Sequence, residues 1–288
     1  MTITDFLQLI IFGIVSGAIF ALGGIGISVI FGILRFAHLA HGDMMTFGAY
    51  LALAAITSMQ LPVLAALPIA MIGTAAAAIA LDYVFYRRFR KARPVVLLIS
   101  SFGIALVLRS VVQLIWGPGN YVYESGISIP YVIFDLRIKP DHLLIVASTI
   151  AIIVAFHLFL TYTRLGKAMR AMSDDPNLAR VSGVDTERVA VWTWAIGGAL
   201  AAAGGVFLAL DTQLNPLLCW NILLPMVAAA IVGGIGRPYG AIAGGLLIGI
   251  VEELSTSFID PAYKPAVAFV IMVAVLLWRP TGILKGTT

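Results

Sequence analysis

Residues 6–34 contain no Asp, Glu, Lys or Arg, a run of 29 positions, and further charge-free windows cover 44–81, 142–163, 189–210 and 212–236. A helix needs about 20 apolar residues to cross the hydrocarbon core of a bilayer, so each window is long enough for at least one crossing. The 44–81 window is too long for one span and divides at Met59-Gln60-Leu61-Pro62, because proline drives the residue before it out of the helical region. Residues 95–116 form a further span despite Arg109, and 240–258 and 261–278 add two shorter ones. The expected fold is all-α, a polytopic transmembrane helical bundle of about eight to nine spans, in a single domain covering 1–288. The polar stretch 38–43 and the short segment 212–236 each also fit a re-entrant path.

Composition agrees. Hydrophobic residues make up 61% of the chain and charged ones 11%, against about 25% charged in soluble domains. A soluble protein with this surface would expose large apolar patches and aggregate. The 28 glycines gather with alanine around 13–26, 197–205 and 233–249, as expected where membrane helices pack through small residues. One cysteine, Cys219, provides no intrachain disulfide. The first thirty residues lack a basic leader and carry Asp5 instead, so they read as a retained span rather than a signal peptide.

Basic residues set the orientation. Placing Arg35, the 87–93 cluster, the 164–188 loop, Arg237, Arg279 and Lys285 in the cytoplasm puts 14 of the 18 Lys and Arg inside. Arg137, Lys139 and Lys264 then fall outside, and nine spans give an external N-terminus and a cytoplasmic C-terminus. The long external loop is 117–141. The formal charge of +4 is distributed by topology and implies no nucleic-acid partner. Trp116, Trp192, Trp194 and Trp278 lie near span ends and are expected as interfacial anchors.

The internal loop 164–188 contains the grammar of a short helix over 176–182. Asp175 suits the N-cap and Pro176 the first helical position, and Gly183 stands at C′. So short a helix is unstable alone in water, so either the bundle or a partner holds it. The functional expectation is a docking helix that inserts into a cytoplasmic ATPase, a coupling loop of Asp174, Asp175, Pro176, Asn177, Leu178, Arg180 and Gly183, with Leu178 and Val181 on one side and Asp174, Asp175 and Arg180 for polar contacts. The bland alternative is a solvated loop with a capped turn.

Ionisable groups at membrane depth are functional candidates by default. Here they are His38, His41, Asp43, Arg109, Asp211 and Glu252, with Glu253 beside the last. Each either lines a translocation path or serves structure. Arg109 is expected to pair with Asp43, Asp211 or Glu252. His38 and His41 would share a helix face, yet no consistent ligand set for a metal accompanies them. His157, alone on an apolar helix, reads as a core histidine. No catalytic constellation is found, and no Gly-x-x-x-x-Gly-Lys-Ser/Thr loop, so any ATP hydrolysis belongs to another chain.

Three stretches carry a resemblance. They are Gly166-x-Ala168-x-Arg170-Ala171 continuing to Gly183-Val184, Phe36-Ala37-His38-Leu39-Ala40-His41-Gly42-Asp43 followed by Phe47-Gly48-Ala49-Tyr50, and Gly233-Gly234-Ile235-Gly236-Arg237-Pro238-Tyr239-Gly240-Ala241. In order and spread they resemble the branched-chain amino acid (leucine–isoleucine–valine) ABC permeases, of the shorter permease type. One departure is that the His41-Gly42 pair falls three residues later than that family's pattern. The resemblance implies a permease of the bacterial cytoplasmic membrane that imports branched-chain or related small polar amino acids, urea, amides or other small solutes. It implies a second homologous permease or a second copy, two cytoplasmic ATPase subunits holding ATP and Mg, and an external solute-binding protein. The competing expectation is a secondary transporter or channel without ATPase subunits; an intramembrane enzyme is a third, weaker one.

Overall fold

The computed structural model describes residues 3–90, 92–123 and 129–284; of the basic residues used for orientation, Lys91 and Lys285 lie outside them. The order of helices is α1 (Ile3–Leu34), α2 (His41–Met59), α3 (Val63–Leu81), α4 (Arg87–Phe89), α5 (Pro94–Trp116), α6 (Pro140–Tyr162), α7 (Arg164–Asp174), α8 (Pro176–Val181), α9 (Thr186–Asp211), α10 (Leu218–Gly233), α11 (Pro238–Ser255) and α12 (Lys264–Trp278). A π-turn, Asp82–Tyr86, joins α3 to α4 without a break. The chain is a helical membrane bundle in which, among the described residues, six helices are long and apolar enough to cross a bilayer: α1, α3 with its continuation, α5, α6, α9 and α12 with the preceding turn. Helices α2, α10 and α11 occupy the other expected spans but fall outside that set, so the count of eight to nine is not reached on length and apolarity alone.

Burial orders the bundle. In the most apolar window of each helix, 72% of α1 and 78% of α9 is buried within the protein, against 22% of α6 and 6% of α12. The first two are therefore the axis, and the last two face outward. The most extensive contact is α1 against α11, followed by α9 against α3, α2 and α1. Glycine spacing explains the first. Gly13 and Gly17 on α1 face Gly245 and Gly249 on α11 at four-residue intervals. A Cβ at Gly13 would lie 2.6 Å from Ile250 Cα, and one at Gly245 would lie 2.8 Å from Ala21 Cα. Backbone meets backbone there, and any side chain would push the pair apart.

The division between α2 and α3 falls where proline places it. Helix α2 ends at Met59, Gln60 takes a left-handed conformation (φ 51°), and Pro62 precedes α3. The expected break near 38–43 is also present: α1 stops at Leu34, Arg35 has φ 57°, and α2 starts at His41. His38 is therefore outside the helix, and the shared helical face expected for His38 and His41 does not exist.

Two elements depart from the all-α expectation. The loop 117–141 contains an antiparallel ribbon, β1 (Tyr131–Ile133) with β2 (Leu136–Ile138), in register Val132 to Arg137. Its two turn residues, Phe134 and Asp135, both have positive φ, 52° and 63°, the conformation that closes a two-residue hairpin without splaying its strands. Gln8 of α1 holds the ribbon by exchanging two hydrogen bonds with the Arg137 backbone, at 2.8 and 2.9 Å. Trp194, expected at an interface, is fully buried and stacked on Tyr86, with ring centroids 4.6 Å apart. His157 is exposed rather than in the core, and its Nδ1 lies 2.7 Å from the Tyr239 hydroxyl.

Candidate functional site

The 164–188 segment forms two helices, one more than its sequence grammar indicates. Thr163 caps α7, its hydroxyl accepting from the Gly166 N–H at 2.9 Å. Helix α7 rests on the bundle through Met169 and Met172, with Leu165 partly buried. Gly166 lies directly on the backbone of Leu160, a contact that leaves no room for a side chain. The signal for α7 was the set Leu165, Met169, Met172, spaced four and three apart along an otherwise basic and polar stretch.

Helix α8 has the expected ends. Asp175 Oδ1 accepts from the backbone N–H of Asn177 at 2.8 Å and of Leu178 at 3.0 Å. At the other end Gly183, with φ 85°, donates to the Arg180 carbonyl at 3.1 Å, and Val184 donates to the Ala179 carbonyl at 3.0 Å. That pair of bonds is the Schellman closure, which satisfies carbonyls left free at a helix end. Ala179 is the buried residue of α8. Leu178 and Val181 are 65% and 86% exposed, so the apolar side of this capped knob faces away from the bundle.

Both flanks of the knob are tied to the membrane helices. Arg35, just beyond α1, donates to the Ser173 carbonyl at 2.7 Å, two residues before the Asp175 cap. On the far side Glu187, in the first turn of α9, receives Arg90 at 2.7 Å and Arg87 at 3.3 Å. Arg90 also reaches Asp82 in the π-turn. Beneath this network Phe36, His38, Tyr86 and Trp194 pack ring on ring, and His38 Nε2 lies 3.1 Å from the Tyr86 hydroxyl.

The candidate membrane charges separate into three groups rather than one site. Asp43 and Arg109 form a two-pronged pair, with Nε to Oδ1 at 2.9 Å and Nη2 to Oδ2 at 3.1 Å, and the guanidinium carbon lies 4.6 Å from the centre of the Trp220 ring. The pair ties α2, α5 and α10 together, and Asp43 is buried. His38 and His41 lie at the break before α2, with ring centroids 5.9 Å apart. The third group sits at the opposite end of the bundle from α8. There Asp211 meets His142 at 3.2 Å and Glu253 meets Lys264 at 2.7 Å, while Glu252 is buried beside them. Among the described residues no group of three His, Cys, Asp or Glu is placed to hold a metal ion.

A bundle of apolar helices with a buried ion pair and a short capped helix at one end defines a multi-pass membrane protein. Its sequence places it more closely. The profile of the family described as "Branched-chain amino acid transport system / permease component" matches residues 9–276, and the chain belongs to that family. It is similar to the high-affinity branched-chain amino acid transport system permease protein BraD of Pseudomonas aeruginosa, 33% identical over 98% of this chain and 96% of the relative. It is 32% identical to LivH of Escherichia coli, a permease protein of the same description, over 97% of this chain and 95% of the relative. LivM of Escherichia coli, also so described, is more distant at 24% identity over 93% of this chain and 68% of its own length. Among solved structures, PsaBC from Streptococcus pneumoniae in complex with Fab overlaps 94% of this chain and 91% of its own, at TM-score 0.49 and 13% identity, too weak a likeness to carry an argument.

Proposed function

We propose that this chain is the transmembrane permease subunit of an ATP-driven importer for branched-chain or related small polar amino acids. The observation that carries the reading is α8. A helix of six residues cannot persist alone in water, yet this one is capped at both ends and braced on both flanks, and it presents Leu178 and Val181 outward. Such a knob suits a pocket on a cytoplasmic ATPase, with Asp174, Asp175, Asn177 and Arg180 as the polar rim.

In this reading the whole chain is one permease domain in the bacterial cytoplasmic membrane. It crosses eight or nine times, with α7 and α8 and the C-terminus in the cytoplasm and the 117–141 loop outside. ATP and Mg belong to two partner ATPases, and the permease makes and breaks no covalent bond. A second permease completes the pore. That Escherichia coli has both LivH and LivM under one system description supports a homologous partner over a second copy. An external binding protein would deliver the solute.

ATP binding would displace α8. The displacement would pass through Ser173 to Arg35 and α1, and through Glu187 to Arg90 and the π-turn. The test is purification of the chain from its native membrane in mild detergent, with mass spectrometry of what accompanies it. Two ATPase subunits and a second permease are the expected result. A chain that purifies alone while transport persists would overturn the reading in favour of a secondary transporter or channel.

A further inference from the structure

At the end of the bundle opposite α8, two cavities of about 430 and 220 Å³ share the side chains of Ser16, Asp211 and Glu253 as walls. The larger lies among α1, α9, α10, α11 and the start of α12, inside one chain. Its volume is in the range of pockets that hold small organic ligands. Part of its lining is aliphatic and aromatic, including Ile19, Phe20, Leu208 and Ile222. Its charged lining is Asp211, Glu252 and Glu253 with Lys264, and Lys139 lines the adjoining smaller cavity.

The partners of those acids are unequal. Asp211 has His142 at 3.2 Å. Glu253 Oε1 accepts from Lys264 at 2.7 Å and from Ser16 at 3.2 Å. Glu252 is 4% exposed, and its Oε1 has no hydrogen-bond partner. A buried carboxylate oxygen without a donor is costly, and a donor or cation placed beside it offsets that cost. Any hydrogen-bond donor would satisfy that oxygen, and an ammonium would also offset the negative charge gathered on these acids. Since no three of these acids converge on a metal-binding arrangement, a compact organic cation fits better than a metal ion.

We infer that this cavity binds the primary ammonium group of an aliphatic amine, with Glu252 as the principal acceptor, Glu253 beside it, and the alkyl portion against Ile19, Phe20 and Ile222. An ammonium supplies three N–H donors in a small volume. Two sources share that chemistry: a free aliphatic amino acid and the headgroup of an aminolipid. The inference comes from the cavity alone and stands whether or not an ATPase drives the chain.

The experiment uses the full chain in phosphatidylcholine nanodiscs and isothermal titration with three compounds. L-leucine has both charged groups, 3-methylbutylamine has only the ammonium, and 4-methylpentanoate has only the carboxylate. Free-amine binding requires that the first two bind, the third does not, and Glu252→Gln weakens both at least tenfold. Ile222→Phe, which narrows the cavity and leaves every acid in place, is expected to weaken them as well and covers the case in which Glu252→Gln fails to fold. If no free amine binds but phosphatidylethanolamine copurifies with the native chain and is lost from the variants, the source is the lipid. Equal binding of 4-methylpentanoate, binding unaffected by either variant, or the absence of both amine and aminolipid would overturn the inference. None of these results bears on ATPase assembly, so this site and the importer reading fail separately.

Discussion

Asp43 and Arg109 are 66 residues apart in sequence and meet through two parallel hydrogen bonds, with the Trp220 ring stacked on the guanidinium. The pair bridges α2 and α5, and the Asp43 carboxylate is buried within the protein. Both charges are compensated by geometry rather than by solvent. The bridge also explains how a span with an arginine in its middle is tolerated.

Removing one partner leaves the other charge buried. Arg109→Gln is expected to destabilise the protein by about 3–5 kcal/mol, because an unpaired buried charge costs far more than the pair contributes. Asp43→Asn alone should be comparably harmful, and the double variant should recover much of the loss. Thermal unfolding in detergent, followed by size-exclusion fluorescence, gives the double-mutant cycle. Additive losses would mean the two residues act independently.

The cap of α8 is a local device with a separable effect. Asp175→Ala removes the acceptor for two backbone N–H groups and should cost that helix about 1 kcal/mol. The membrane helices should melt at the native temperature, while recovery of ATPase subunits in a pull-down falls. Asp175→Ser, which keeps an acceptor, is expected to restore most of the recovery.

Under the proposed importer reading, the exposed apolar residues of α8 are there for contact with a partner rather than for folding. Leu178→Asp with Val181→Asp should leave expression and melting temperature unchanged, since neither side chain is buried, and should abolish copurification of the ATPase. A lower melting temperature would show that these residues support the bundle itself.

The α1–α11 seam has no slack for a larger side chain. Gly249 abuts the Gly17 backbone, and a Cβ on Gly17 would lie 2.9 Å from Leu246 Cα. Gly249→Leu is expected to prevent accumulation of monodisperse protein altogether, whereas Gly103→Leu, on α5 with open space around it, should be tolerated. Fluorescence-detected size exclusion of the two variants side by side gives the answer.

Much of this was legible in the sequence because local chemistry decided it. Asp175, Pro176 and Gly183 determine where α8 starts and stops whatever surrounds it, and Pro62 marks the division between α2 and α3. What was not legible depended on neighbours distant in sequence. Trp192 and Trp194 look alike at the start of a span, but two positions turn a side chain about 200° around the helix axis. One of them remains half exposed and the other meets Tyr86. Three acids were available to Arg109, and only the packing of α2 on α5 selects Asp43. Helix α7 was hidden because its basic and polar composition reads as loop; its few apolar residues matter only once the ends of α1 and α6 lie beneath them. The hairpin was missed because Phe134 also takes positive φ there, a conformation that its side chain does not signal, although Asp135 tolerates it.

The glycine seam also makes α1 and α11 a fixed frame of reference. Two rods joined backbone to backbone cannot slide past one another without separating, so distances between spin labels across that seam will stay constant through a transport cycle. Movement of α8, α5 or α12 can then be measured from this pair, as displacement against a ruler built into the protein.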